Sequence, residues 1–328
     1  MLTGCGDSVA IDQATVNAYR NLIEANSYAF EAKIQAFSQT ESPDIPAEGI
    51  NDLRTASEYI TPLVILLGKE IEIDVQGVYD ANRKLIEAEV AFVADSPEFS
   101  IVLHSVIVIT EEHTWIKIPE NLASISGRPE IGGKYYDLGY GYKWNNKSAD
   151  MGNLGEKVLT IATEDFSGIA LNSISVEEAD IPDRIKVSSA GRFSISEDNL
   201  ESVLKAAFMQ TVPDMLDLLG DPEWRSALHI DEQELAWKKE YYAGATEDGI
   251  KRESEEIKSS TAIRRADLDL GMDKSGKLSY VGANVDFKVV QGEENVDVRG
   301  TLTTRISGYN DKQALRYGIP KVNEVILD

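Results

Sequence analysis

Ile71-Glu72-Ile73-Asp74-Val75 alternates apolar and acidic side chains. Asp80-Ala81-Asn82-Arg83-Lys84 follows as a polar turn, and the run that begins at Leu85 continues the pattern to Val93. A period of two places alternate side chains on opposite sides of a strand, so two such runs around a polar break read as a hairpin. The pattern extends into a meander, with strands predicted over Phe99–Ile109 and Thr114–Ile118 and an end at Pro119. Upstream, Tyr28, Phe30, Ala32, Ile34 and Ala36 alternate with Glu31, Lys33 and Gln35 and predict a further half-buried strand. Before it, Ala14, Val16, Tyr19, Leu22 and Ile23 recur every three or four residues, which predicts a helix over Asp12–Glu24 with Asp12 as its cap.

The rest of the chain reads more coarsely. Ser42–Gly49 holds two prolines and a glycine and is a loop; a short helix fits Ile50–Tyr59. Gly127–Gly155 is rich in Gly, Tyr and Asn and reads as an irregular connection, with Tyr135, Tyr136, Tyr140, Tyr142 and Trp144 covering an edge of the core. Val158–Ala162 and Ile185–Ser189 are strand candidates. Asp198–Leu219 is the strongest helical stretch, kinked or split by Pro213, with a second break at Gly220-Asp221-Pro222. Helices are expected over Glu232–Tyr242 and Asp248–Ser259, with Trp224 and Trp237 packed in the core. A second meander then runs through Ile263–Leu270, Leu278–Val290, Val296–Ile306 and Arg316–Pro320.

The two meanders have parallel features. Asp80 to Leu85 matches Asp273 to Leu278 at Asp, Lys and Leu, and Phe92 and Phe287 follow in similar settings. Trp115 to Pro119 is likewise similar to Tyr317 to Pro320. An antiparallel sheet cannot leave its apolar face wet and covers it with helices. The expected class is therefore α+β: antiparallel, curved sheets forming an incomplete barrel wrapped over helices. The expected organisation is a tether over 1–10 and helix-plus-sheet units over 11–185 and 186–328, with the boundary near Asp180–Ser196. Two duplicated units and one extended sheet shared by both are equally open at this point.

Composition excludes several functions. The 328 residues carry 32 Lys+Arg against 56 Asp+Glu, a formal charge of −24. A phosphate backbone would be repelled, so no nucleic acid is expected as a partner, and the same charge disfavours an anionic membrane surface. One cysteine permits no internal disulfide. No Gly-x-Ser-x-Gly elbow, His-Glu-x-x-His helix, dinucleotide fingerprint or phosphate loop occurs, so no catalytic, metal or cofactor-binding residue is expected. Glu111-Glu112-His113 lacks a second histidine. His104 lies in an apolar strand and reads as a core or barrel-lining residue; His229 falls at a helix end. The acids from Asp267 to Asp273 do not meet the spacing of a calcium loop and read as a strand entering a turn.

Leu2-Thr3-Gly4-Cys5, followed by Gly6-Asp7-Ser8, resembles the lipobox of bacterial lipoproteins. That resemblance implies a diacylated Cys5, carrying chains such as palmitate, as the mature N-terminus. A basic and then apolar leader is missing ahead of it. Either the sequence begins late or has been trimmed, or Met1 is the true start and the chain stays cytoplasmic with a free thiol. With the helix and long meander, the lipobox makes the chain similar to the LolA/LppX-like envelope lipoproteins. The resemblance implies a half-barrel that receives acyl chains and a membrane partnership through the N-terminal anchor, on the extracytoplasmic face of a bacterial membrane. The expected role is a non-enzymatic lipoprotein that binds or carries an apolar or amphiphilic ligand. The alternative is an anchored acidic interaction module without a small ligand. Candidate lining positions are Ile101, Leu103, Val106, Val108, Phe287 and Val289.

Overall fold

The computed structural model describes residues 11–40, 70–95, 100–139, 151–228, 230–291 and 294–326. The Leu2–Cys5 motif, the loop and helix expected over 42–59, Tyr140, Tyr142, Trp144 and His229 lie outside the described residues.

The class is α+β, with a large antiparallel sheet. Its strands are β1 (Ser27–Thr40), β2 (Glu70–Asp80), β3 (Leu85–Asp95), β4 (Ser100–Ile109), β5 (Thr114–Lys117), β6 (Tyr135–Asp137), β7 (Leu171–Ile174), β8 (Ser189–Ser194), β9 (Thr261–Met272), β10 (Leu278–Gln291) and β11 (Glu294–Ser307). They lie in the order β6-β5-β4-β3-β2-β1-β11-β10-β9-β8-β7, and the two end strands do not pair, so the sheet is unclosed. The chain divides into two compact units, each made of two stretches. Met1–Glu24 with Asn146–Gly282 forms the first, and Ala25–Asn145 with Ala283–Asp328 the second. The expected boundary region, Asp180–Ser196, lies inside the first unit.

In the first unit, α1 (Ile11–Ile23) buries Thr15, Val16 and Ala18. It meets α3 (Met151–Phe166) through Arg20, whose Nε and Nη2 donate to the Glu156 carboxylate at 3.1 and 2.6 Å. The strand expected over Val158–Ala162 is thus part of a helix. Leu154 and Val158, one turn apart, pack with Trp224, Leu218 and Leu219. Thr160 and Thr163 satisfy their hydroxyls on the carbonyls of Glu156 and Thr160, which offsets the poor helix propensity of threonine. The long helix is split as expected. It runs as α4 (Leu200–Ala206), a π turn (Ala207–Thr211) and α5 (Val212–Gly220), with Pro213 just past the π turn. Three further helices follow: α6 (Pro222–Ala227), α7 (Glu232–Ala243) and α8 (Glu247–Ser260). The strand expected over Ile185–Ser189 instead starts at Ser189, where Ser189–Ser194 pairs with Asp267–Met272.

Two turns are built alike. The Asp80 carboxylate accepts from Arg83 N–H at 3.1 Å. The Asp273 Oδ1 accepts from the N–H groups of Ser275 and Lys277 at 2.7 and 3.0 Å.

In the second unit, the antiparallel register runs from β4 through β3, β2 and β1 to β11 without a bulge. The stretch Arg316–Pro320, expected as a strand, has no strand pairing. It belongs to a tail held along one side of the sheet by hydrogen bonds to carboxylates. Those bonds take up the amides that a ladder would have used.

Candidate functional site

Because facing residues of paired strands point to the same side, the register sorts every side chain of β1–β4 and β11 onto one of two faces. On one face Leu103 lies opposite Phe92, Phe92 opposite Ile73, Ile73 opposite Ile34, and Ile34 opposite Leu302. This row crosses five strands, about 19 Å at the usual strand spacing. Its neighbours on the same face are Ile101, Ala94, Ile71 and Ala36 on one side, and Val90, Val75 and Ala32 on the other. Strand β10 joins this face through Val285: a Cβ on Gly300, which lies opposite Ala36, would sit 3.0 Å from the Val285 side chain. Phe287 and Val289, at even steps from Val285, share its side. The apolar row is not sealed: Ile34 is 38 % exposed, and Leu103, Phe92, Ile73 and Leu302 are half-buried.

One glycine fixes the packing there. Gly77 lies opposite Phe30, and a Cβ at this position would overlap the Phe30 ring and stand 2.7 Å from the Glu87 carbonyl oxygen. The ring therefore lies where a β2 side chain would be, and it extends the apolar surface across the strand.

The opposite face carries charged and polar rows, with an apolar cluster at its β3–β5 end. Across it run Val106, Glu89, Gln76, Glu31 and Arg305, then His104, Ala91, Asp74, Lys33 and Thr303. The chain after β11 lies over part of this face. Leu315 and Val325 pack on Leu85, Val106, Val108, Trp115 and Tyr135, and the Ile326 amide donates to the Tyr135 carbonyl at 2.8 Å. The tail is fastened by Glu87, which is 5 % exposed. Its carboxylate accepts from three consecutive amides, Arg316, Tyr317 and Gly318, at 2.7, 2.9 and 2.7 Å. Gly318, at φ +69°, lets the three N–H groups converge. Beside it, Glu89 accepts from the Tyr317 hydroxyl at 2.8 Å and from Arg316 Nη1 at 2.9 Å. Those two donors hold the Glu89 carboxyl below the usual carboxylate range, the tyrosine bond first. Between the tail, the sheet and α2 (Glu120–Ile125) lies a cleft of about 720 Å³ lined by Asp74, Glu89, His104, Lys117, Asn121 and Tyr317.

The sequence-based lining residues fall on both faces. Ile101, Leu103, Phe287 and Val289 lie on the apolar side. Val106 and Val108 lie on the other, where both are buried under the tail's side of the sheet. His104 is exposed and faces the polar cleft, so it is not a core residue. Missed altogether were Glu87 and Glu89. Their spacing from Leu85 puts all three on one face, but nothing near them in sequence names the tail as their partner.

No protein-family model matches this chain, and no curated protein does. A crystal structure of LprF from Mycobacterium bovis aligns with it. The alignment covers 93 % of this chain and 95 % of that one, at 11 % identity and a TM-score of 0.30. Among the described residues no helix is long and apolar enough to cross a membrane.

Proposed function

We propose that this protein is a non-enzymatic binder or carrier of an apolar or amphiphilic ligand, held at the extracytoplasmic face of a membrane by acyl chains on Cys5. The observation that carries the reading is the half-exposed apolar row Leu103–Phe92–Ile73–Ile34–Leu302. Its length suits an extended acyl chain, and each buried methylene of such a chain contributes about 0.8 kcal/mol. Such a surface supplies affinity without a charged partner, which fits a chain of net charge −24. Apolar side chains of this kind bind; they offer no nucleophile, base or oxyanion donor, and so a catalytic role is not part of the reading.

The test is native purification followed by mass spectrometry of co-extracted lipid, with titration of a fluorescent fatty acid. Wild-type protein is expected to bring lipid with it or to bind the probe saturably. Ile34→Asp, which sets a charge between Ile73 and Leu302 at an already exposed position, is expected to weaken probe binding at least tenfold while leaving the fold intact. A protein that carries no lipid and ignores the probe, or whose Ile34→Asp variant binds unchanged, overturns the reading. The anchor is a separate expectation. Cells fed an alkyne-tagged palmitate should label the wild-type protein, and Cys5→Ser should abolish that label.

A further inference from the structure

We propose that a hollow between α7 and α8 in the first unit binds a quaternary ammonium group, a site independent of the apolar sheet face. The cavity measures about 550 Å³, and its walls include Phe208, Tyr241, Tyr242, Ile250, Glu253 and Glu256. The rings stand in different planes. Tyr241 and Tyr242 are perpendicular, with centroids 5.2 Å apart, and Phe208 lies 6.0 Å from Tyr242 at 38°. Trp237 stacks on Tyr241 at 5.8 Å and 27°. Aromatic faces are electron-rich, and a hollow lined by several rings in different planes attracts a bulky, weakly hydrated cation.

Two further facts select the ligand class. Tyr241 is 65 % exposed and Trp237 62 %, which corrects the core position expected for Trp237 and leaves a stacked aromatic pair in water. Glu253 and Glu256 sit three residues apart on α8 and are exposed, and neither carboxylate has an ion-pair partner among the described residues. Arg252 also borders the hollow, but its Nε turns back to the Asp248 carbonyl at 3.4 Å. Two carboxylates against one guanidinium leave the wall with a net negative charge. A small metal ion needs oxygen ligands converging on one point, and aromatic walls do not supply them. A methylated ammonium needs none, and the hollow has room for it together with part of the molecule that carries it.

The experiment titrates choline chloride into the full chain against sodium chloride of equal ionic strength, with intrinsic tryptophan and tyrosine fluorescence as the readout. Saturable binding of choline beyond the sodium control is expected. Tyr241→Ala should weaken it about tenfold and Glu256→Gln should weaken it several-fold; both positions are exposed, so circular dichroism should be unchanged. A second arm compares vesicles of phosphatidylcholine with vesicles of phosphatidylglycerol. Capture by the former alone, lost in Tyr241→Ala, assigns the group to a lipid headgroup; binding of free choline alone assigns it to a soluble ligand. No saturation beyond the sodium control, or equal affinity in Tyr241→Ala, overturns the proposal.

Discussion

Glu87→Ala is expected to free the chain after β11 from the polar face of the sheet. The carboxylate is buried, and its two oxygens receive three backbone amides from residues 316–318. Hydrogen bonds to a charged group contribute about 1.5–3 kcal/mol each, and part of that returns when the freed amides reach water. A net loss of roughly 2–4 kcal/mol in the docking of the tail follows. Hydrogen exchange should then show the amides of Arg316, Tyr317 and Gly318 exchanging far faster in the variant, with the β1–β2 ladder unchanged. Glu87→Gln, which keeps one acceptor oxygen without the charge, should fall between the two. Protection in Glu87→Ala equal to wild type would mean that Leu315 and Val325 alone hold the tail.

Acid should loosen the same tail, and the sign follows from Glu89. Its carboxyl is held low by the Tyr317 hydroxyl and by Arg316, so the folded state favours the ionised form. The contribution is complete above the ordinary carboxylate range and is lost as pH falls through the depressed folded value. Amide exchange at 316–318, corrected for intrinsic rates, should therefore rise in acid more steeply than exchange in β3. The expected size is small, because Glu89 is partly open to solvent.

Much of the sheet is legible in the chain because period-two alternation marks β1 and β2, and the apolar runs of β3 and β4 have strand length. The hairpin at Asp80 and its counterpart at Asp273 are legible because each aspartate caps its own turn. The segment from Met151 is not, since Val158-Leu159-Thr160-Ile161 reads as β-branched strand and only its packing on Trp224 makes it helical. Face assignment is half legible. Parity along β4 separates Ile101 and Leu103 from Val106 and Val108, yet which face stays open depends on a tail that arrives about 230 residues after Glu87. The same holds for Trp237. Its helix carries aromatic and charged residues on all sides, so spacing alone cannot say which ring meets water.

Arg192→Met is expected to be among the most damaging single changes in the first unit. Arg192 on β8 faces Asp269 on β9, and its Nε and Nη2 donate to the two carboxylate oxygens at 2.6 and 2.8 Å. Nη2 also reaches the Glu178 carbonyl at 2.9 Å, tying the connection before β8 to the sheet. Asp269 is 6 % exposed, so its charge has little water to fall back on. The guanidinium is held still more firmly protonated than usual, first by its bond to Asp269. Removing one partner of a buried pair leaves the other charge uncompensated, at a cost of about 3–5 kcal/mol. Asp267, which accepts from Ser194 and Arg265 at 2.6 and 2.7 Å, cannot lend its donors, because those bonds hold the adjacent rung. Replacing both partners, Arg192→Met with Asp269→Leu, removes the stranded charge along with the pair and should recover most of the loss. Urea titration of the wild type, the single variant and the double variant, followed by tryptophan fluorescence, separates the cases. A single variant that unfolds within about 1 kcal/mol of wild type would show that Asp269 finds water or another donor once the arginine is gone, and that the pair sets the β8–β9 register without holding it.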